Sequence, residues 1–196
     1  MKTMIKKSVL LVALLFTVVA NASSGKNGVT LKVVDAKLMQ LSMDNHYGEF
    51  EITVKDDFGV VLHKEVLNEM NASKKYDFGA MPIGNYNLEI ETKTKIESVE
   101  FKVTSKDIVI VKRSDICFKP VVHVVDDRVS ISKLSLKGEK MEVSIYDNEN
   151  HLIYYQKVNK GPNLGVRLSF EILGAGNYSA SVYSAGRLFT EDFTIN

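Results

Sequence analysis

From residue 29 onward the apolar positions of this chain recur at every second residue. Phe50, Ile52 and Val54 point one way, and Glu51, Thr53 and Lys55 point the other. Tyr86, Leu88 and Ile90 alternate with Asn87, Glu89 and Glu91, and Val99, Phe101 and Val103 alternate with Glu100 and Lys102. A period of two belongs to a strand with one face buried. Beyond residue 22 no stretch carries a sustained apolar stripe at 3.6-residue spacing, so almost no helix is expected. Turn signals punctuate these runs at short intervals. In the first half they are Asp44–Gly48, Asp56–Gly59, Asn68–Ser73 and Met81–Gly84, and in the second Lys137–Gly138, Asp147–Asn150, Lys160–Asn163, Gly174–Gly176 and Ser184–Gly186. The pattern predicts strands near 29–35, 37–43, 49–55, 60–66, 74–79, 85–92 and 96–104, then near 120–126, 128–136, 140–146, 151–158, 166–171, 177–183 and 187–195.

The two halves are copies of one module. Phe50–Asp56 returns as Met141–Asp147 at an offset of 91, and Gly84-Asn85-Tyr86 returns as Gly176-Asn177-Tyr178 at 92. Phe101-Lys102-Val103 returns as Phe193-Thr194-Ile195, also at 92, and Val33-Val34-Asp35 as Val124-Val125-Asp126. A unit this long exceeds any solenoid repeat and is a domain duplication. Seven short strands in under about 90 residues read as a sandwich of two antiparallel sheets. The expected fold class is therefore all-β, with two tandem immunoglobulin-like or fibronectin-III-like sandwiches over residues 23–105 and 119–196. Residues 106–118 connect them. The run Ile108-Val109-Ile110-Val111 is too apolar for a flexible linker, so it reads as an extra edge strand or as packing between the sandwiches. A short connector without Gly or Pro favours a fixed relative orientation.

Residues 1–22 read as a signal peptide. Lys2, Lys6 and Lys7 precede the apolar run Val9–Ala20, and Ala20-Asn21-Ala22 supplies a small-x-small cleavage site before Ser23. The run is shorter than the roughly 20 residues a membrane helix needs, and no membrane span is expected in the mature chain. Cleavage takes the 25 Lys and Arg to 22, against 24 Asp and Glu. These charges are interspersed, and without a basic block nucleic acid is not an expected partner. Cys117 is the single cysteine, so no intrachain disulfide can form, and in Ile116-Cys117-Phe118 it reads as a small apolar strand residue.

Candidate chemistry is sparse. His46, His63, His123 and His151 lack the i, i+2 or i, i+4 spacing of a zinc site and read as surface residues. Asp56-Asp57-Phe58-Gly59 and Asp147-Asn148-Glu149-Asn150 lack the length and distal Glu of a calcium loop, and Asp and Asn favour tight turns on their own account. There is no G-x-S-x-G elbow, no Cys–His pair and no Gly-rich phosphate loop. No catalytic residue, metal ligand or cofactor is assigned, and the chain is not expected to be an enzyme.

The repeated Gly-Asn-Tyr is the most specific local motif. Gly84 and Gly176 are expected to supply a positive φ at the corner between sheets. Tyr86 and Tyr178 would then open the second-last strand, each hydroxyl bonding back to the corner backbone in a tyrosine corner. Met81-Pro82-Ile83-Gly84-Asn85-Tyr86-Asn87-Leu88-Glu89-Ile90 resembles the LPxGxYxVxV signature of bacterial immunoglobulin-like and transthyretin-like domains. Met141–Asp147 and Gly176–Tyr178 resemble the C-terminal sorting domain of type IX secretion cargo in Bacteroidetes. Where that family ends in a short basic tail, this chain has Glu191–Asn196. The resemblance implies a bacterial source, which makes the sequons at Asn71 and Asn177 chance matches. It also implies export to the periplasm, the outer surface or beyond. The expected function is a secreted, non-enzymatic binding, adhesion or structural module of the cell envelope with a protein or glycan ligand. A type IX cargo-like role for the second module is the alternative, and a hydrolase with an unrecognised site is a further one.

Overall fold

The period-two pattern becomes fifteen β-strands and no helix in the computed structural model, which describes residues 29–43, 48–68, 72–159 and 161–196. The first copy holds β1 (Val29–Asp35), β2 (Leu38–Met43), β3 (Phe50–Asp56), β4 (Val61–Leu67), β5 (Ala72–Asp77), β6 (Gly84–Glu91), β7 (Lys95–Val103) and β8 (Ile108–Phe118). The second holds β9 (Val121–Val125), β10 (Arg128–Leu134), β11 (Met141–Tyr146), β12 (Leu152–Val158), β13 (Asn163–Ser169), β14 (Gly176–Ser184) and β15 (Arg187–Ile195). Residues 1–22, read as a signal peptide, with the expected cleavage positions Ala20, Ala22 and Ser23, lie outside the described residues, as does His46.

Each copy is a two-sheet sandwich with the same strand order. Sheet β1-β2-β5 faces β4-β3-β6-β7-β8, and sheet β13-β10-β9 faces β12-β11-β14-β15. Three strands against four, all antiparallel, is a fibronectin-III-like order, and the chain is a tandem of two such sandwiches. The duplication reaches the irregularities. A bulge breaks the β3–β4 register at Val54/Lys55 and the β11–β12 register at Ile145/Tyr146.

The copies differ at one edge. β8 adds a fifth strand beside β7, and its Ile108 and Ile110 pack into the first core. In the second copy β15 ends its sheet. The second core draws only on residues from Val122 to Ile195, so each sandwich buries its own apolar residues.

The last strand of the smaller sheet starts and stops earlier than its pattern suggests, at 72–77 and 163–169 instead of 74–79 and 166–171. The physical reason is the same in both copies. Phe78 and Phe170 leave the sheet ladder, their amides bonding to Lys37 and Asp127 carbonyls in the first turn of each module. Their rings then enter the core. Phe78 lies 4.9 Å from Phe101 and Phe170 lies 5.6 Å from Phe193, and Tyr86 and Tyr178 stack on those same rings at 5.6 and 5.7 Å.

The Tyr86 hydroxyl donates to the Pro82 carbonyl at 2.8 Å, and the Tyr178 hydroxyl to the Gly174 and Leu173 carbonyls at 3.1 and 3.3 Å. The expected positive φ at Gly84 and Gly176 is corrected. Neither glycine has one, and in the second copy it falls at Gly174 (φ 79°). Gly84 and Gly176 instead lie flat under the Tyr rings, where an added Cβ would meet ring atoms at 3.6 and 3.5 Å, ordinary contact distances.

Two predictions follow from this geometry. Tyr86→Phe and Tyr178→Phe should each destabilise by about 1–2 kcal/mol, the scale of a lost buried hydrogen bond. Gly174→Ala should cost about 1–2 kcal/mol through left-handed strain, whereas Gly84→Ala and Gly176→Ala should stay near wild type. Denaturant melts check all five variants. Separately, residues 119–196 expressed alone should give β circular dichroism and one cooperative melt, because the second core borrows no side chain from the first copy. A disordered fragment would refute that independence.

Candidate functional site

The larger sheet of the first copy turns its outer face toward the second copy, and register lays that face out in rows. One row runs Glu51, Glu91, Ile96, Cys117, and the next runs Thr53, Glu89, Ser98, Asp115. Outward positions of a sandwich normally meet water, yet Thr53, Glu89 and Ile96 are buried without belonging to the apolar core. The second copy meets this face through charge. Arg187, opening β15, donates to Glu89, and Lys137, in the β10–β11 loop, pairs with Asp115.

Glu89 is 6 % exposed and is held from two sides, by Arg187 and by Lys55 Nζ at 2.7 Å. Burial alone would push its pKa up, but the bonds from Arg187 and Lys55 outweigh that and hold the carboxyl below its ordinary value. Lys133 is buried nearby, its Nζ 4.0 Å from Glu139 and 3.4 Å from the Leu134 carbonyl. Cys117, half-buried and beside Ile96, sits close enough to feel Lys133 and Arg187. Burial nevertheless raises its thiol pKa, which disfavours the reactive thiolate.

A second polar cluster lies where β4 and β5 bring the sheet edges together. Glu65 accepts from Tyr76 at 2.6 Å and pairs with Lys74, with His63 Nε2 at 3.4 Å. His63 is exposed, as its place in the sequence predicts, with its ring edge-on to Tyr76 at 6.0 Å. Burial works to raise the pKa of Glu65, yet three donors hold it low, and burial together with the Glu65 bond raises Tyr76. His123 is exposed, and His151 pairs with Asp147 at 3.1 Å. The acidic turns have internal work: Asp56 Oδ1 accepts from the Phe58 and Val60 amides, and Asp147 Oδ1 from those of Glu149 and His151.

The distal ends are different in character. The β3–β4 turn exposes Phe58 (93 %), and the β5–β6 loop exposes Ile83. The Asn85 amide donates to Asp57 at 3.0 Å, tying these two turns together. The second copy also exposes apolar residues at this end, with Glu149 in the place of Phe58. Its β13–β14 loop exposes Ile172 (98 %) and Leu173, and Leu152 follows the β11–β12 turn.

Sequence patterning missed Glu89, Arg187 and Lys55, because a charged residue at an outward strand position reads as solvated, and it missed Lys133, which shares the inward face of β10 with Val129 and Ile131. Two signals were available: Ile96, an apolar side chain at an outward position, and Lys133, a charged one at an inward position. No protein-family model matches the chain, and no curated protein matches it in sequence. Among solved structures it is similar to a biofilm-associated protein BSP domain at 12 % identity and TM-score 0.31, covering 86 % of this chain and 29 % of that one. It is also similar to the FN1–FN3 domains of chicken CNTN1 at 10 % identity and TM-score 0.31, covering 86 % and 65 %. The human OSCAR ligand-binding domain follows at 13 % and 0.25, covering 85 % and 96 %. The chain thus spans less than two thirds of the first two.

The junction makes its own prediction. Arg187→Ala leaves Glu89 facing Lys55 alone, and should speed the reaction of Cys117 with a thiol reagent by about tenfold, corresponding to roughly 1.4 kcal/mol of lost docking. Because the carboxyl pKa lies below its ordinary 4.5, docking should be full above the unfolded-state value. It should fall away only as pH drops through the lower folded value. Thiol-labelling rates of wild type between pH 7 and pH 3, compared with Glu89→Gln, check the sign.

Proposed function

We propose that this chain is an exported, non-enzymatic two-headed binding module of the cell envelope, engaging a protein or glycan through the distal loops of its sandwiches. The observation that carries the reading is the pair of exposed apolar tips. Phe58 with Ile83, and Ile172 with Leu173, stand at matching ends of the two copies on loops that a rigid scaffold holds in place. A large apolar side chain left in water on a loop favours burial against a partner.

The ionisable groups support the same reading. Among the described residues the carboxylates with shifted pKa values, Glu65, Glu89, Glu139, Glu142 and Asp147, all move downward. A general acid at neutral pH needs the opposite shift. The strand-and-turn pattern that resembles a type IX sorting domain folds as an ordinary sandwich and has a twin in the first copy, which favours a shared binding role for the two modules.

Cosedimentation of the chain from Ser23 with bacterial envelope preparations tests the proposal. Wild type should pellet with the envelope, and Phe58→Ser combined with Ile172→Ser should weaken that association by about tenfold without changing the melt. Equal pelleting of both proteins would overturn it.

A further inference from the structure

The duplication breaks at one place, and the break leaves a sheet edge open. In the first copy β8 pairs along β7, with Val103 opposite Ile108, Lys102 opposite Val109 and Phe101 opposite Ile110. The Ile108 amide also donates to the Ala36 carbonyl at 2.8 Å, in the turn between β1 and β2. Ile108 and Ile110 thereby close one side of the first core. In the second copy β15 is the last strand of its sheet among the described residues, and none of them pairs where β8 would.

In that place lies a slot of about 800 Å³. Its walls include the second-copy equivalents of residues that β8 covers. Thr194 and Ile195 take the places of Lys102 and Val103 at the offset of 92, and the turn residues Asp126 and Asp127 take those of Ala36 and Lys37. The core beside the slot is correspondingly less covered. Phe193 is 9 % exposed where Phe101 is 0 %, and Val122 is half-buried where Leu31 is buried. An edge strand of this kind offers a row of unpaired backbone donors and acceptors, and strand addition is a recurrent mode of peptide capture.

Charge narrows the occupant. Asp126, Asp127 and Glu171 line the slot, and no Lys or Arg does. Glu191 and Asp192 follow along β15. Among the described residues only Asp127 of these five acids has a cationic neighbour, Arg128 Nε at 4.0 Å. Asp192 aligns with Glu100, whose register partner on β8 is Lys112, 3.9 Å away. Glu191 takes the inward position of Val99, where the β7–β8 ladder is bulged. An inward-pointing charge guards an edge against indiscriminate apolar strands, and this one favours a base.

We propose that the β15 edge binds an extended segment of a partner protein, added antiparallel as β8 is in the first copy. The segment carries two aliphatic residues at alternate positions, which enter beside Ile195 and Phe193. Basic residues follow them and face Asp192 and Glu191. The first half of β8 has this form, Ile108-Val109-Ile110-Val111-Lys112-Arg113. The site does not use the exposed apolar tips and goes beyond the reading drawn from them.

A fluorescein-labelled peptide of residues 106–115, titrated by anisotropy against the chain from Ser23, tests the site. It should bind saturably and protect the amides of Leu188–Ile195 from exchange. Ile108→Ser with Ile110→Ser in the peptide should weaken binding by about tenfold, as should Glu191→Lys with Asp192→Lys in the protein. Both acids are exposed, so the protein variant should melt like wild type. A chain carrying a further Ser105–Arg113 segment after Asn196 supplies the strand itself and should lose peptide binding. No binding to wild type, protection on β7 instead, or undiminished binding in any of the three altered pairs would overturn the proposal. So would a concentration-dependent dimer of wild type protected along β15, which would give the edge to a second copy of the chain. Envelope pelleting enters none of these readouts, so this site and the apolar-tip reading fail separately.

Discussion

The stacking of Tyr86 on Phe101, and of Tyr178 on Phe193, is the contact around which each sandwich closes. Both pairs sit directly opposite one another on adjacent strands, and the third ring, Phe78 or Phe170, arrives from the facing sheet. Contacts of this kind contribute about 0.5–1.5 kcal/mol beyond simple burial. Their larger effect is positional. Phe78 and Phe170 can enter the core only if the chain leaves the ladder at that residue, and the tyrosine hydroxyls reach the corner carbonyls only if the rings stack as they do. Sheet spacing, corner geometry and the start of the second-last strand are set together.

With two self-sufficient cores, the relation between the copies is decided on polar ground. Buried ion pairs add little net stability, because desolvation offsets the attraction, but a mispaired buried charge is costly. Glu89 between Lys55 and Arg187 therefore specifies an arrangement more than it strengthens one. Without Arg187, Glu89 keeps Lys55 as its remaining charged partner. The clamp also leaves the distal loops free at both ends.

Much of this was legible from the chain. The alternation of Phe50, Ile52 and Val54 with polar neighbours predicts the strand and its buried face, and the repeat at 91–92 predicts a second sandwich of the same kind. Inward residues obey one rule, burial of apolar surface, and that rule is written locally. The corner glycines show the limit. Gly84 and Gly176 carry the expected motif, but the positive φ moved to Gly174 in the second copy because the β13–β14 loop is built differently. Loop backbone responds to its own length and bonds, and a three-residue motif does not encode them.

Outward residues carry no such local rule. Glu89 and Arg187 look like ordinary solvated positions in an alternating strand, and nothing near them in sequence says otherwise. The sequence by itself determined the two cores, the positions of the strands along the chain and the duplication, since each depends on the periodicity of apolar side chains. Only the tertiary structure decided which outward face is covered and which charges are buried. Those outcomes depend on residues nearly a hundred positions apart, Glu89 and Arg187 above all, whose contact exists only once both sandwiches have formed.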